Sequence, residues 1–211
     1  MTGINQAALP NGVALGVTRG DRAAITEAYR VLSQPVMNLA ARILQDRGLA
    51  EEVVQDTFID LVEKSAQIRE PGAVAAWVRQ VATNHCLMRL RSPWHARREA
   101  LENYEPESQD GGTGLVHDGT LEKALAMLPG ETRAVIWLHD VEGYTHKEIG
   151  ELMGKTTSFS KSQLARGYER LLDWSRSSRE PETAGHNLTG KDDAKLSARS
   201  CERNSFSSCA T

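Results

Sequence analysis

Residues 154–163 gather the kinds of side chain that proteins use to contact DNA. The stretch reads GKTTSFSKSQ and holds five hydroxyls, two lysines and one amide around a single phenylalanine. Lysine binds phosphate or guanine, glutamine pairs with adenine, and short hydroxyls bond to either. The chemistry that this composition supports is hydrogen bonding and ion pairing with a polyanion, which requires the stretch to be exposed.

The sequence around this stretch predicts two helices joined by a turn. The apolar spacing indicates a first helix over HKEIGELM, Gly154 supplies the turn, and a second helix follows. Such a unit is a helix-turn-helix or a plain helical hairpin, and the polar start of the second helix favours the helix-turn-helix. The residues predicted to face inward are Ile149, Leu152, Met153, Leu164, Leu171 and Leu172.

The second helix of a helix-turn-helix lies in the major groove, where its N-terminal residues contact base edges and phosphates. In this chain the short polar and cationic residues at that position are the candidate DNA contacts. They are Thr156, Thr157, Ser158, Ser160, Lys161, Ser162, Gln163 and Arg166.

Acidic residues are concentrated in one segment of the chain. The 211 residues carry a formal net charge of -3, and 40% of them are apolar. Six acids and no lysine or arginine lie between residues 99 and 118. The negative charge of this segment alone is therefore larger than the net negative charge of the whole chain. Its proline, glycine and serine content predicts a solvated linker. The negative net charge therefore does not argue against DNA binding elsewhere.

The chain is predicted to be all-α, with two small helical domains, because no alternating strand pattern competes with the helical periodicity. The polar composition of the C-terminal tail predicts that it is disordered when free. The predicted parts are an N-terminal extension (1–17), a first domain (18–96), the acidic linker (97–118), the helix-turn-helix domain (119–174) and the tail (175–211).

Three amphipathic helices account for the first domain. Pro35 is predicted to start a second segment or to bend the first helix, and Pro71 to begin a helix. The residues predicted to face the core are Ile25, Tyr29, Leu32, Val36, Leu39, Ala40, Ile43, Val54, Phe58, Leu61, Val62, Val74, Trp77, Val78, Val81 and Met88.

The sequence contains none of the motifs that would indicate catalysis or a cofactor. The six histidines are scattered, and the three cysteines form no C-x-x-C pair, so no metal site and no disulfide framework are predicted. No Gly-rich phosphate loop or nucleophile elbow occurs. The chain is therefore predicted not to be an enzyme. Because it also lacks a signal peptide and a long apolar run, it is predicted to be cytoplasmic, without membrane insertion.

Motifs in both predicted domains resemble the extracytoplasmic-function sigma factors of bacterial RNA polymerase, and the resemblance covers residues 20–174. The family pattern A-E-D-x-x-Q-x-x-F is similar to AEEVVQDTF, and L-P-x-x-x-R-x-V is similar to LPGETRAV. The family's E-I-A is here Glu148, Ile149 and Gly150. The matching positions in the first two motifs are Ala50, Glu51, Glu52, Gln55, Phe58, Leu128, Pro129, Arg133 and Val135.

The resemblance implies a promoter-recognition subunit whose partners are core RNA polymerase, promoter DNA and an anti-sigma factor or other regulator. The second domain would read the minus-thirty-five element. In the first domain, the helix over AEEVVQDTF would dock on the polymerase clamp, and the basic helix after it would capture the melted minus-ten element. The implied polymerase contacts are Glu52, Gln55, Asp56 and Leu61, and the implied minus-ten contacts are Arg69, Arg79, Asn84, Arg89 and Arg91.

The chain departs from the family pattern at the start of the recognition helix. Where the family has Ile-Ser-x-Gly-Thr-Val-Lys-Ser-Arg-Leu, this chain keeps Lys161, Ser162 and Leu164 but replaces the inward valine with Ser160. Two starts of the helix follow. In one, Ser160 and Gln163 form a capping box and the helix starts late. In the other, which the family pattern favours, the helix starts at Thr156.

Two other classes of protein fit parts of the sequence. A stand-alone helix-turn-helix transcription factor would share the second domain, but it would need neither the acidic-start helix nor the linker. A protein-interaction regulator would leave the basic face merely solvated. Co-purification with core polymerase distinguishes these classes from a sigma factor.

Overall fold

The computed structural model describes Ile4, residues 7–92 and residues 119–177. Every regular element in these residues is helical, which confirms the all-α prediction. The predicted acidic linker and the tail beyond residue 177 lie outside the described residues. None of the helices in the described part of the chain is long and apolar enough to cross a membrane.

Four helices lie within residues 7–92. They are α1 (Asn11–Thr18), α2 (Arg22–Leu44), α3 (Arg47–Lys64) and α4 (Val74–Leu90), with short 3-10 turns at Ser65–Gln67 and Pro71–Ala73 between α3 and α4. The second half contains α5 (Gly119–Ala126), α6 (Gly130–Ile136), α7 (His146–Met153) and α8 (Thr157–Ser177), and α6 continues into a π-helical turn at Trp137–Val141.

Side-chain caps determine where α2 and α3 begin. The carboxylate of Asp21 accepts a hydrogen bond from the Ala23 amide at 2.9 Å, and that of Asp46 accepts one from the Leu49 amide at 2.9 Å. Each cap satisfies an amide that has no partner within its helix. Pro35 lies inside α2, which runs on without a break, so the second segment predicted to start there does not form.

Helices α2, α3 and α4 pack around one apolar core, with α1 against α2. Most residues predicted to face this core are buried, including Leu32, Val36 and Val78 at 0% exposure. The prediction was wrong for residues at the edge of each apolar stripe, because a neighbouring position lies about 100° further round a helix. The exposed ones are Tyr29 (47%), Val62 (60%) and Met88 (65%), and in the second half Leu172 (56%).

The two halves share a buried boundary. Helix α2 contacts α6, and α4 contacts both α6 and α7. Arg133 on α6 is 5% exposed; its Nε donates to the Ile43 carbonyl at the end of α2 (2.9 Å), and its guanidinium also donates to the Leu128 carbonyl (2.9 Å). One guanidinium thus binds carbonyl groups from both halves of the chain.

Candidate DNA and polymerase interfaces

A capped helix and a tight turn hold the recognition helix α8 in place. Thr145 and Glu148 form a capping box at the start of α7, in which Glu148 accepts from the Thr145 amide at 2.8 Å. This backbone hydrogen bond lowers the pKa of Glu148. Gly154 ends α7 with φ 64°, a left-handed conformation that glycine adopts without strain. The predicted turn is therefore confirmed, with Gly154 at its centre.

Gly150 allows the chain after this turn to fold back closely on α7. A Cβ at this position would lie 3.0 Å from the Lys155 carbonyl oxygen and 3.1 Å from the Thr156 carbonyl carbon. Only backbone atoms meet there, and they have little room to move. The start of α8 consequently lies directly against the face of α7.

The recognition helix takes the early start. Thr156 caps it, because its hydroxyl accepts from the Phe159 amide at 3.1 Å, and α8 runs from Thr157. The late start with a capping box at Ser160 and Gln163 is wrong. Both side chains are bonded elsewhere: the Ser160 hydroxyl lies 3.0 Å from Nδ1 of His146, and Gln163 accepts from the Thr132 hydroxyl at 2.7 Å.

Ser160 was also predicted to contact DNA, and this assignment is wrong because the residue is 0% exposed. It packs between α8 and α7, in the place where the family pattern has an inward valine. Gln163 is half-buried and bonded to α6, so it is less available than its neighbours. The remaining predicted contacts are exposed on α8 and at its cap, namely Thr156, Thr157, Ser158, Lys161, Ser162 and Arg166.

One cation on the same helix was missed by the sequence reasoning. Arg170 is exposed one turn after Arg166, and the two lie on one face of α8. Together with Arg91, the residue after α4, they line a cleft of about 570 Å³ between α4, α6 and α8. The spacing of four residues between Arg166 and Arg170 could have predicted that Arg170 lies on the same helix face as Arg166.

A pair of stacked imidazoles lies next to the first turns of α8, where His146 contacts Ser160. The rings of His139 and His146 lie 4.6 Å apart at an interplanar angle of 19°, and Asp140 lies 2.8 Å from Nδ1 of His139. Burial lowers the pKa of His146, and the nearby His139 and Lys161 lower it further, while Asp140 opposes them. The folded protein therefore favours the neutral form of His146.

We expect acid to destabilise the second half through His146. Its folded-state pKa lies below the ordinary value of about 6.5, so the unfolded chain binds more protons as the pH falls through and below that value, and the free energy of unfolding decreases. Thermal unfolding at about pH 7.5 and about pH 5.5 should show a larger fall in Tm for the native chain than for His146→Gln. Equal falls would show that His146 does not carry the effect.

The outer face of α3 presents a mixed polar and apolar stripe. Glu52, Gln55, Ile59 and Val62 follow one another at intervals of three or four residues and are all exposed, Ile59 to 55% and Val62 to 60%. Leu61 was predicted to contact polymerase, and this assignment is wrong because the residue is 0% exposed. Its side chain faces the core, and the apolar residues on the surface are its neighbours.

Acids of α3 pair with bases of α4. Arg89 binds the Asp56 carboxylate and lies 3.6 Å from Glu52, while Nε2 of His85 lies 2.9 Å from Asp60. The hydrogen bond from Lys64 is the largest cause that lowers the pKa of Asp60. Two residues predicted for different partners, Asp56 for polymerase and Arg89 for DNA, are thus joined to each other.

Some of the predicted minus-ten residues have exposed side chains, and others bind groups in the second half of the chain. Arg69 and Asn84 are exposed, on the chain before α4 and on α4 itself. Arg79 donates to the Glu142 carbonyl and its guanidinium lies 4.2 Å from the centre of the Tyr144 ring, and Arg91 donates to the Leu152 carbonyl at 2.8 Å. Both of these acceptors belong to the second half of the chain.

The sequence is similar to that of known sigma factors in both halves of the chain. Two family models match, Sigma-70 region 2 over residues 28–96 and Sigma-70, region 4 over residues 118–171. The ECF RNA polymerase sigma factor SigE of Mycolicibacterium smegmatis is 34% identical over 175 residues, which cover 78% of this chain and 68% of that protein. SigM of Mycobacterium tuberculosis H37Rv is 28% identical over 153 residues, covering 72% of this chain and 77% of the relative.

Two solved structures share the fold. The structure of CnrH in complex with the cytosolic domain of CnrY matches with a TM-score of 0.51 and 17% identity, over 81% of this chain and 99% of that one. The sigma factor RpoE in complex with the anti-sigma factor NepR, from Bartonella quintana, matches with a TM-score of 0.50 and 19% identity, over 73% and 98%. With these relatives and both region models, the chain belongs to the extracytoplasmic-function sigma factors of the sigma-70 family, the initiation factors that direct RNA polymerase to promoters.

Proposed function

We propose that this chain reads two promoter elements with its two helical halves while bound to core RNA polymerase. In this proposal residues 18–96 bind the polymerase and the melted minus-ten element, and residues 119–174 read the minus-thirty-five element, with residues 97–118 as the linker. The observation that carries the proposal is the exposed polar start of α8, where the hydroxyl and cationic side chains of residues 156–166 follow a capped, tight turn.

The proposed minus-thirty-five contacts are the exposed residues of α8 and its cap. Lys161 supplies a phosphate contact near the start of the helix, and Arg166 contacts a base edge. Arg170, one turn later, extends the cationic face. Ser158 and Ser162 supply short donors and acceptors at base edges. Gln163 contributes only if its bond to Thr132 opens.

The proposed polymerase contact is the stripe on α3. Ile59 and Val62 are large apolar side chains on the surface, flanked by the polar Glu52 and Gln55, an arrangement typical of an apolar anchor with a polar rim. Asp56 lies beside the stripe and is held by Arg89. The minus-ten contacts proposed in the first half are Arg69, Arg79, Asn84, Arg89 and Arg91.

The chain acts by binding and has no catalytic chemistry of its own in this proposal. Cys86 is a poor nucleophile, because burial raises the pKa of its thiol to about 12. The proposed location is the cytoplasm, because the proposed partner, bacterial core RNA polymerase, acts there. An anti-sigma factor is a further proposed partner, as NepR is for RpoE of Bartonella quintana.

Reconstitution with bacterial core RNA polymerase tests the proposed function. We expect the chain to co-purify with core and the resulting holoenzyme to transcribe selectively from a DNA library randomised at both promoter elements. Core alone should show no such selection. A chain that does not bind core but shifts duplex DNA alone would instead be a stand-alone helix-turn-helix transcription factor.

A further inference from the structure

A group of cationic and titratable side chains lies beside the start of α8, and only Lys161 of the proposed DNA contacts belongs to it. The rings of His139 and His146 stack with their centres 4.6 Å apart. Burial, His139 and Lys161 all lower the pKa of His146, so Lys161 lies close to the pair. Side chains from the π-helical turn, α7 and α8, each able to carry a positive charge, thus meet at one place.

Hydrogen bonds within the chain hold each imidazole by only one ring nitrogen. Nδ1 of His139 lies 2.8 Å from the Asp140 carboxylate, and Nδ1 of His146 lies 3.0 Å from the Ser160 hydroxyl. Within the described residues neither Nε2 atom takes part in a hydrogen bond, and neither is buried. A protonated imidazole donates from both nitrogens, so Nε2 of each ring is left for an acceptor from outside the chain.

The negative groups around the pair are already engaged. The charged and titratable groups on the elements packed against it are Asp140, Glu142, Lys147, Glu148, Lys161, Tyr168 and Arg79. The carboxylate of Asp140 is shared between His139 and the Tyr168 hydroxyl, which donates to it at 2.8 Å. That of Glu148 accepts from the start of its own helix instead. A proton on the pair is therefore neutralised only by a shared carboxylate, and an external anion would stabilise it.

The position of the pair in the helix-turn-helix identifies this anion. When the second helix of such a unit enters the major groove, the first helix crosses the DNA backbone. His146 is the first residue of α7, which is the first helix here, and Lys147 beside it is exposed. The groups that a crossing helix meets are backbone phosphates, which accept hydrogen bonds from cationic donors.

We propose that His139 and His146, together with Lys161, bind one backbone phosphate of the minus-thirty-five duplex, and that the imidazole pair takes up one proton from solvent as it does so. This inference rests on the proposed reading of that element by α8. One proton is expected rather than two, because two positive rings with centres 4.6 Å apart would repel each other.

Proton uptake fixes the sign of the pH dependence. In the free chain the pKa of His146 lies below its ordinary value, because burial and the neighbouring cations disfavour the charged ring. A bound phosphate favours the charged ring and raises that pKa. Between the two pKa values the complex holds more protons than the free chain, so the Kd for DNA falls as the pH falls.

Holoenzyme binding to a promoter duplex at constant ionic strength tests the proposal. Between about pH 7.5 and about pH 6.0, the native protein should gain at least about fivefold in affinity relative to His146→Gln and to His139→Gln, since one proton changes Kd by up to about tenfold per pH unit. His85→Gln is the matched control. It removes an imidazole that also lies beside an aspartate, 2.9 Å from Asp60, but in the first half, and it should keep the native pH dependence.

Neutral methylphosphonates, placed one at a time across the minus-thirty-five element, identify the phosphate. At one position the substitution should weaken the native holoenzyme and remove its extra pH dependence, while having no further pH effect in His146→Gln. Histidine variants with the pH dependence of His85→Gln, or a scan without such a position, would overturn the site. If Lys161→Ala still weakens promoter binding in that case, only this inference fails; if Lys161→Ala also has no effect, the proposed function of α8 fails with it.

Discussion

Leu61→Asp is expected to unfold the first half of the chain. Leu61 is 0% exposed in the core between the helices, and replacing it both removes packing and buries a carboxylate without a partner. The expected loss exceeds about 4 kcal/mol of unfolding free energy, a large part of the total for a small domain. Urea unfolding followed by circular dichroism measures it.

Two further substitutions make this result interpretable. Leu61→Met keeps the volume and the apolar character and should cost less than about 1.5 kcal/mol. Val62→Asp changes a neighbour that is 60% exposed, and it should leave the unfolding midpoint nearly unchanged. A folded Leu61→Asp variant with native stability would contradict the buried position of Leu61.

Ile59→Asp combined with Val62→Asp is expected to abolish most core binding while the chain stays folded. Both side chains are exposed on the α3 stripe, and loss of one well-packed anchor at an interface costs about 2 kcal/mol or more. For one anchor this is about a 30-fold rise in Kd, and two anchors should raise it further. Titration of labelled chain with core polymerase measures the Kd.

The matched control changes charge without changing the stripe. Arg176→Glu lowers the charge by two, as the double variant does, at an exposed residue near the end of α8, and it should leave the Kd for core unchanged. If the double variant binds core like this control, with an unaltered circular dichroism spectrum, the stripe is not the polymerase contact.

The apolar periodicity predicted which segments are helical but not the outermost residue of each buried face. Leu61 and Val62 are adjacent and both apolar, and the pattern alone assigned both to the core. Val62 is on the surface because neighbouring positions point about 100° apart and the core contacts only a narrow stripe of α3. The family resemblance separately assigned Leu61 to the polymerase interface, although the apolar pattern had assigned it to the core.

Local chemistry predicted the turn of the helix-turn-helix, and the family pattern favoured the early start of α8. Neither predicted the partners of the polar side chains of α8. Ser160 is buried against His146, and Gln163 binds Thr132, which is 31 residues earlier in the sequence. The contacts of Arg79, Arg91 and Arg133 with distant carbonyls likewise join residues separated by 61 to 90 positions. No spacing rule in a single sequence encodes such contacts, because they arise only when the helices pack.

The most direct test of the central claim is transcription by the holoenzyme from a library randomised across the minus-thirty-five element. Lys161→Ala should weaken all promoters similarly and reduce the salt dependence by about one unit of slope, and Arg166→Ala should change the preference at one base pair by about 1–3 kcal/mol. Arg176→Ala removes an exposed cation from the far end of α8 and should change neither promoter strength nor preference. If Lys161→Ala and Arg166→Ala both behave like Arg176→Ala, the polar start of α8 does not read DNA.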